Sequence, residues 1–415
     1  MESSPLITND AVVLGLLAVI LGAVFYTAHS DRPGFKAFYT FVPALLLCYF
    51  VPAVFNSVGI IAGEQSQLYF VASRYLLPTT LVLLTLSIDL NGIVRLGPKA
   101  LIMFATGTLG IVIGGPLSVL FFSAVAPDII GGQGPDAVWR GLTTVAGSWI
   151  GGGANQAAMK EVFEVGDDLF SAMVAVDVLV ANVWMAVLLY MAGRSKQIDA
   201  RMGADTRALE ALRKRVEASQ AKHARIPSLT DLMLIMAVGF GMTGLAHLLA
   251  DGLAPWIAQN APYLERLSLT STFFWIVVIA TTGGLGLSFT RASRLEGAGA
   301  SKVGTVLLYV LVASIGMNMD IGAVFERPGL FMVGAVWMAI HAVLLLVVGR
   351  AIKAPTFYLA VGSQANVGGA ASAPIVASAF HPSLAPVGVL LAVLGYALGT
   401  YGAWLCGQLM RLAAT

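Results

Sequence analysis

The chain has 415 residues, of which 58% are apolar and 11% charged, with a formal net charge of +2 and a mean hydropathy of +0.83. Soluble domains carry about 25% charged residues, so there is too little charge here to coat a water-facing surface. Soluble enzyme folds and nucleic-acid binding are excluded.

The first ten residues contain Glu2 and Asp10 but no Lys or Arg. A cleaved signal peptide has a basic start and a small-residue cleavage site, so the first apolar run reads as a permanent helix. A spanning helix takes about 20 apolar residues. Such runs fall near 11–28, 37–55, 68–89, 99–126 and 168–193, and again near 229–251, 270–290, 303–319, 329–350 and 383–410. Between the fourth and fifth run of each set lies a further segment, 137–160 and 354–378, rich in small residues and polar at its centre. Both segments read as re-entrant hairpins or broken helices. The two cysteines, Cys48 and Cys406, sit inside apolar runs and read as small buried hydrophobes.

The expected fold is an all-α polytopic membrane protein of about ten transmembrane helices. Residues 1–193 form one five-helix repeat and 228–415 a second, joined by a basic linker at 194–227. Residues 194–225 carry nine Lys/Arg against four acids. Leu209, Leu212 and Val216 are spaced for a short surface helix, but the stretch as a whole reads as a solvated linker. Basic residues concentrate in cytoplasmic loops. With the linker cytoplasmic and five spans per set, the loops holding Arg32/Lys36, Arg95/Lys99, Arg291/Arg294/Lys302 and Arg350/Lys353 are cytoplasmic too. That places 18 of the 24 basic residues on one side and both termini outside.

The halves resemble each other. Ser87-Ile-Asp-Leu-Asn-Gly-Ile-Val-Arg-Leu-Gly-Pro98 parallels Met317-Asn-Met-Asp-Ile-Gly-Ala-Val-Phe-Glu-Arg-Pro328, with Gly92 matching Gly322 and Pro98 matching Pro328. Gly147-Ser-Trp-Ile-Gly-Gly-Gly-Ala-Asn-Gln-Ala-Ala158 parallels Gly362-Ser-Gln-Ala-Asn-Val-Gly-Gly-Ala-Ala-Ser-Ala373. An odd number of spans per repeat inverts one copy against the other, as in secondary transporters.

Glycine-rich backbone is tolerated in a membrane only where it lines a cavity or is packed in protein. A break at Gly151-Gly152-Gly153 or Gly368-Gly369 turns a half-helix N-terminus inward. That end carries about half a positive charge and unpaired N–H groups, which suit an anionic substrate group. Ser148, Gly152, Gly153, Asn155 and Gln156 in the first segment, and Ser363, Gln364, Asn366, Gly368 and Gly369 in the second, are the expected substrate-binding residues. Asn155 and Asn366 supply oxygens for a hard cation. Asp177 is the acid deep in a predicted helix, where an ionisable residue is a functional hypothesis by default. It and Asn318 complete the expected ion-binding set. Asp89 and Asp320 mark span ends. Arg74 snorkels or pairs with an acid. His341 reads as a satisfied packing residue, and Lys160, Glu161 and Glu164 read as solvated at the outer end of the first hairpin.

On those two glycine-rich stretches the chain resembles the YjcL-like family of multi-pass membrane proteins. More distantly its layout is similar to the superfamily of glutamate/Na⁺ symporters, 2-hydroxycarboxylate transporters, bile-acid/Na⁺ symporters and cation/proton antiporters. That resemblance implies a homodimer with an elevator-like moving core, and a substrate and Na⁺ site at 151–156 and 363–369. The second hairpin holds no basic residue to clamp a di- or tricarboxylate, and the chain shows no adjacent Asp pair of the antiporter kind.

The expected function is secondary active transport in a plasma (bacterial inner) membrane: Na⁺-coupled symport of a small organic solute such as a monocarboxylate, amino acid or short peptide. The alternative is a cation/proton antiporter using Asp177. Spans 3–5 and 8–10 with the hairpins would move against a scaffold of spans 1, 2, 6 and 7. The coupling ion is Na⁺ or H⁺, with no other metal or cofactor expected. The motifs of intramembrane zinc and aspartyl proteases are absent, so no catalytic residue and no enzyme activity are expected.

Overall fold

A computed structural model describes residues 5–61, 63, 65–204, 226–319, 322 and 326–414. Leu209, Leu212, Val216 and Asp320 lie outside the described residues. Among the described residues the chain is helical nearly throughout. In chain order the main helices are α1 (Asp10–Ala28), α2 (Pro33–Phe41), α3 (Ala44–Ser57) and α4 (Leu68–Leu86). Then follow α5 (Pro98–Val125), α6 (Val138–Gly151), α7 (Gly153–Val162) and α8 (Asp167–Gly193). The second half holds α9 (Leu229–Asn260), α10 (Thr272–Ser288), α11 (Ala300–Gly316) and α12 (Gly329–Ala351). It ends with α13 (Thr356–Val367), α14 (Gly369–Phe380) and α15 (Ala385–Ala414).

Each of the ten expected apolar runs is helical. Among the described residues seven helices are long and apolar enough to cross a membrane, or up to nine if each of two bent pairs counts as one span. The second run is interrupted at Val42, which is extended (φ −115°, ψ 101°) because it precedes Pro43 and proline disfavours helix in the residue before it. The seventh ends at Ser288, and the 3₁₀ segment Arg291–Ala298 turns from it by 93°. The eighth, α11, is a shorter apolar helix of 17 residues.

Burial sorts these helices. In α1 the buried residues Val13, Leu17, Ile20 and Val24 form one stripe, and α9 repeats the pattern from Ile235 to Ile257. Each shows one face to protein and the rest to its surroundings. By contrast every residue of α13 is buried, as is nearly all of α6. The arms α6, α7 and α13 therefore occupy the interior of the bundle, whereas α14 leaves Ala371, Ile375 and Ala379 exposed, and α15 packs against all four arms.

Local chemistry explains the irregular points. Ser228 and Asp231 form a reciprocal capping box at the start of α9. Within α4, residues Ala72–Leu76 are π-helical. Pro78 follows and has no N–H to give the Arg74 carbonyl four residues earlier. His247 of α9 takes that carbonyl instead, through Nε2 at 2.8 Å. The start of the expected solvated linker is not solvated throughout. Residues Ser195–Met202 form a helix, and buried Asp199 accepts the Thr356 N–H at 2.7 Å and its hydroxyl at 2.6 Å. This carboxylate thereby caps α13.

Candidate transport site

Both polar segments turn back on themselves. In the first, α6 and α7 meet at Gly152, whose φ of +75° and ψ of −174° fall in a region open essentially only to glycine. A Cβ placed on Gly147 would lie 2.6 Å from the Asn155 carbonyl oxygen, whereas eight residues of a continuous helix span about 12 Å. In the second, Gln364 Nε2 donates to Ser372 Oγ at 2.7 Å, again eight residues apart across the break at Gly368. Gly369 has φ +58°.

The two turns then meet. A Cβ on Gly369 would stand 4.0 Å from the Gly152 Cα. The first turns of α7 and α14 therefore converge, and at each the leading N–H groups have no carbonyl one turn earlier to bond. Two partial positive charges face one place. The Tyr396 ring borders Gly152 and the Leu308 side chain borders Gly153.

Asn155 and Asn366 hold these turns in position by the same pattern. Asn155 donates through Nδ2 to the Gly151 carbonyl at 3.0 Å and to the Tyr396 carbonyl at 3.1 Å. Its oxygen accepts the Thr400 hydroxyl at 2.7 Å. Asn366 donates to the carbonyls of Gly362 at 2.9 Å and Phe104 at 3.0 Å. Its oxygen accepts the Thr108 hydroxyl at 2.7 Å. In each case the threonine lies four residues after the accepting carbonyl, and a glycine just before it lets the asparagine approach. A Cβ on Gly399 or Gly107 would come within 3.0 Å of that side chain. The partners share a short sequence pattern, Phe104-Ala-Thr-Gly-Thr108 and Tyr396-Ala-Leu-Gly-Thr400, on the fourth and tenth apolar runs. Sequence reasoning missed it because both copies lie inside apolar runs, although the signal is plain in the letters. A cation at either asparagine would share an oxygen that already accepts a hydroxyl.

Asp177 lies on α8, buried behind the first hairpin. Gln156 Nε2 donates to its Oδ2 at 2.8 Å, and the Gln156 oxygen accepts the Tyr49 hydroxyl at 3.4 Å. Ser148 and Trp149 stand beside the same carboxyl group, and the Trp149 indole N–H has no acceptor among the described residues. Among the described residues no Lys, Arg or His lies within ion-pairing distance of Asp177. A buried carboxylate without a counter-charge is costly, and the Gln156 amide reaches this one at 2.8 Å.

The other expected residues divide. Ser363 accepts the Trp184 indole N–H at 2.8 Å and lies 2.8 Å from His341 Nε2. His341 Nδ1 is 3.0 Å from the Gly107 carbonyl, which only accepts, so Nδ1 carries the proton and Nε2 receives the serine hydroxyl. His341 is thus a fully bonded packing residue. The Gln364 oxygen has no donor among the described residues. Asn318 is not at the turns. It sits against the loop before α4, where a Cβ on Gly63 would lie 2.6 Å from its oxygen. Asp89 is exposed and accepts the Gly92 N–H at 2.9 Å, which makes it a local cap.

Lys160 and Glu161 are not solvated. The α7 arm lies against α4, which supplies their partners. Lys160 pairs with Asp167 at 2.7 Å and reaches the Tyr69 hydroxyl at 2.9 Å. Tyr69 donates in turn to Glu161, whose other oxygen pairs with Arg74 at 2.7 Å. Arg74, on the π-helical turn, therefore finds an acid. Glu164 does project into solvent.

The family described as "Protein of unknown function (DUF819)" matches the chain over residues 15–413, and the chain belongs to that family. It is 24% identical over 371 residues, covering 84% of this chain and 85% of the relative, to the "Uncharacterized membrane protein YjcL" of Bacillus subtilis (strain 168).

Proposed function

We propose that this member of the DUF819 family is a secondary active transporter: a Na⁺-coupled symporter of a small organic solute working by an elevator-type mechanism. The observation that carries the reading is the meeting of two glycine-turned hairpins, Gly152 against Gly369, in the interior of the bundle. Irregular backbone inside a membrane is tolerated where it lines a cavity or is packed in protein, and paired half-helix N-termini suit a carboxylate. Because residues 354–378 contain no Lys or Arg, the solute carries a single carboxylate: a monocarboxylate, an amino acid or a short peptide. Asp177, with Gln156 and Ser148 beside it, is the coupling site. Asn155 and Asn366 set the position of the turns.

In this proposal the protein is a homodimer in a bacterial inner membrane, with both termini outside and the basic linker cytoplasmic. Spans 3–5 and 8–10 carry the hairpins past a scaffold of spans 1, 2, 6 and 7. No residue acts as a catalyst. A second reading, cation/proton antiport through Asp177, is favoured by the absence of a basic partner for that acid among the described residues.

The test is thermal stability of the purified protein in Na⁺ against K⁺ or choline at two pH values. A ligand at 100 times its Kd adds about 2.7 kcal/mol to the folded state. A Na⁺-specific shift lost in Asp177→Asn supports Na⁺ coupling at that acid, and a further shift on adding a monocarboxylate or amino acid in Na⁺ separates symport from antiport. A pH effect without a Na⁺ effect, lost in the same variant, moves the assignment to protons. Neither effect removes Asp177 from the mechanism.

A further inference from the structure

A polar cavity lies away from the hairpin turns. It forms where the outer ends of α6 and α7 meet the α9–α10 connection and the last turn of α15, and its volume is about 490 Å³. Three arginines line it from three separate elements: Arg140 of α6, Arg266 of the 3₁₀ turn Pro262–Leu267, and Arg411 of α15. The charges of Arg266 and Arg140 both bear on Arg411. Two acids face the same space, Glu164 and Glu265. Glu164 Oε2 is 3.8 Å from Arg140 Nη1, but its side chain is 80% exposed, and such a pair holds weakly in solvent. Three positive groups therefore meet two negative ones.

The site is also shaped. Arg140 is held by donating to the Phe163 carbonyl and by lying over the Trp139 ring at 5.3 Å. Ser271, the N-cap of α10, lines the cavity too, so the positive end of a 17-residue helix adds to the field. Arginine forks match the oxygens of phosphate and carboxylate groups.

We propose that this cavity binds an oxyanion, a phosphate or carboxylate group, through Arg140, Arg266 and Arg411. The same chemistry serves the headgroup of an anionic lipid or a soluble anion. The inference stands apart from the transport reading, since none of these residues belongs to the hairpin turns.

The experiment uses the full chain, delipidated in neutral detergent, with two probes. Inorganic phosphate is titrated at constant ionic strength against chloride. Phosphatidylglycerol is titrated against phosphatidylcholine, with bound lipid counted by native mass spectrometry. The wild type should bind at least one probe above its control: phosphate binding marks a soluble anion, phosphatidylglycerol binding a lipid. Arg266→Gln with Arg411→Gln should weaken that binding by about tenfold or more, since a charge-assisted hydrogen bond is worth at least about one decade in affinity. Glu164→Gln should tighten it. Arg266→Gln alone, on an exposed turn, gives the same reading if the double variant does not fold. Binding of neither probe, or unchanged affinity in the arginine variants, overturns the proposal.

Discussion

Asn155→Ala should destabilise the folded protein by about 2 kcal/mol. The side chain is fully buried and makes three hydrogen bonds, to the carbonyls of Gly151 and Tyr396 and from the Thr400 hydroxyl. In membrane proteins such bonds average about 0.6 kcal/mol each in double-mutant cycles, so three give a loss of that order. The Thr400 hydroxyl keeps one neighbour after the change, Thr281 Oγ1 at 3.1 Å, which softens the loss on that side. Reversible unfolding in mixed micelles measures the effect. Thr400→Val and the double variant complete a cycle whose coupling should be about 0.6 kcal/mol. Asn366→Ala should behave alike, because its three bonds repeat the pattern. A change below about 0.5 kcal/mol in Asn155→Ala, or no coupling to Thr400, would refute the clamping role.

Gly152→Ala should cost about 1–3 kcal/mol, since its backbone region is closed to alanine, and the same unfolding assay reads it. Glu161→Gln should lower stability by about 1–3 kcal/mol, below the range for a fully buried pair because Arg74 is partly exposed. A matching loss in Arg74→Gln, without additivity in the double variant, checks it. Ser363→Ala leaves the Trp184 N–H and His341 Nε2 without their shared partner. It should cost about 1–3 kcal/mol and change the near-ultraviolet circular dichroism of the protein.

The helical runs and the two polar segments are legible in the sequence because hydropathy and glycine content report directly on what a bilayer tolerates. The turns at Gly152 and Gly368 follow from letters that no other residue replaces cheaply. Partnership is less legible. Lys160 and Glu161 read as solvated because charge next to a loop usually is. Their burial depends on Arg74 and Tyr69, about 90 residues earlier in the chain, which α4 brings alongside. Asn155 and Asn366 stand out as polar residues in apolar surroundings, but their letters do not say whether their oxygens face a cation or a threonine. The deciding residues, Thr108 and Thr400, sit in helices that hydropathy reads only as apolar. Asn318 lies away from the turns for a related reason: it ends an apolar run, and depth along a run does not reveal which neighbour the end meets.

The most direct measurement is the accessibility of the second hairpin turn from each side of the membrane. Ala371 is exposed in the first turn of α14, and the native Cys48 and Cys406 are buried, so Ala371→Cys offers one reactive thiol against a silent parent. A membrane-impermeant maleimide is applied to right-side-out and inside-out vesicles in Na⁺ and in K⁺. Alternating access predicts labelling from both faces, with a balance that changes with the cation. Labelling from one face alone in every condition, or from neither, would contradict a transport site at the meeting of the two hairpins.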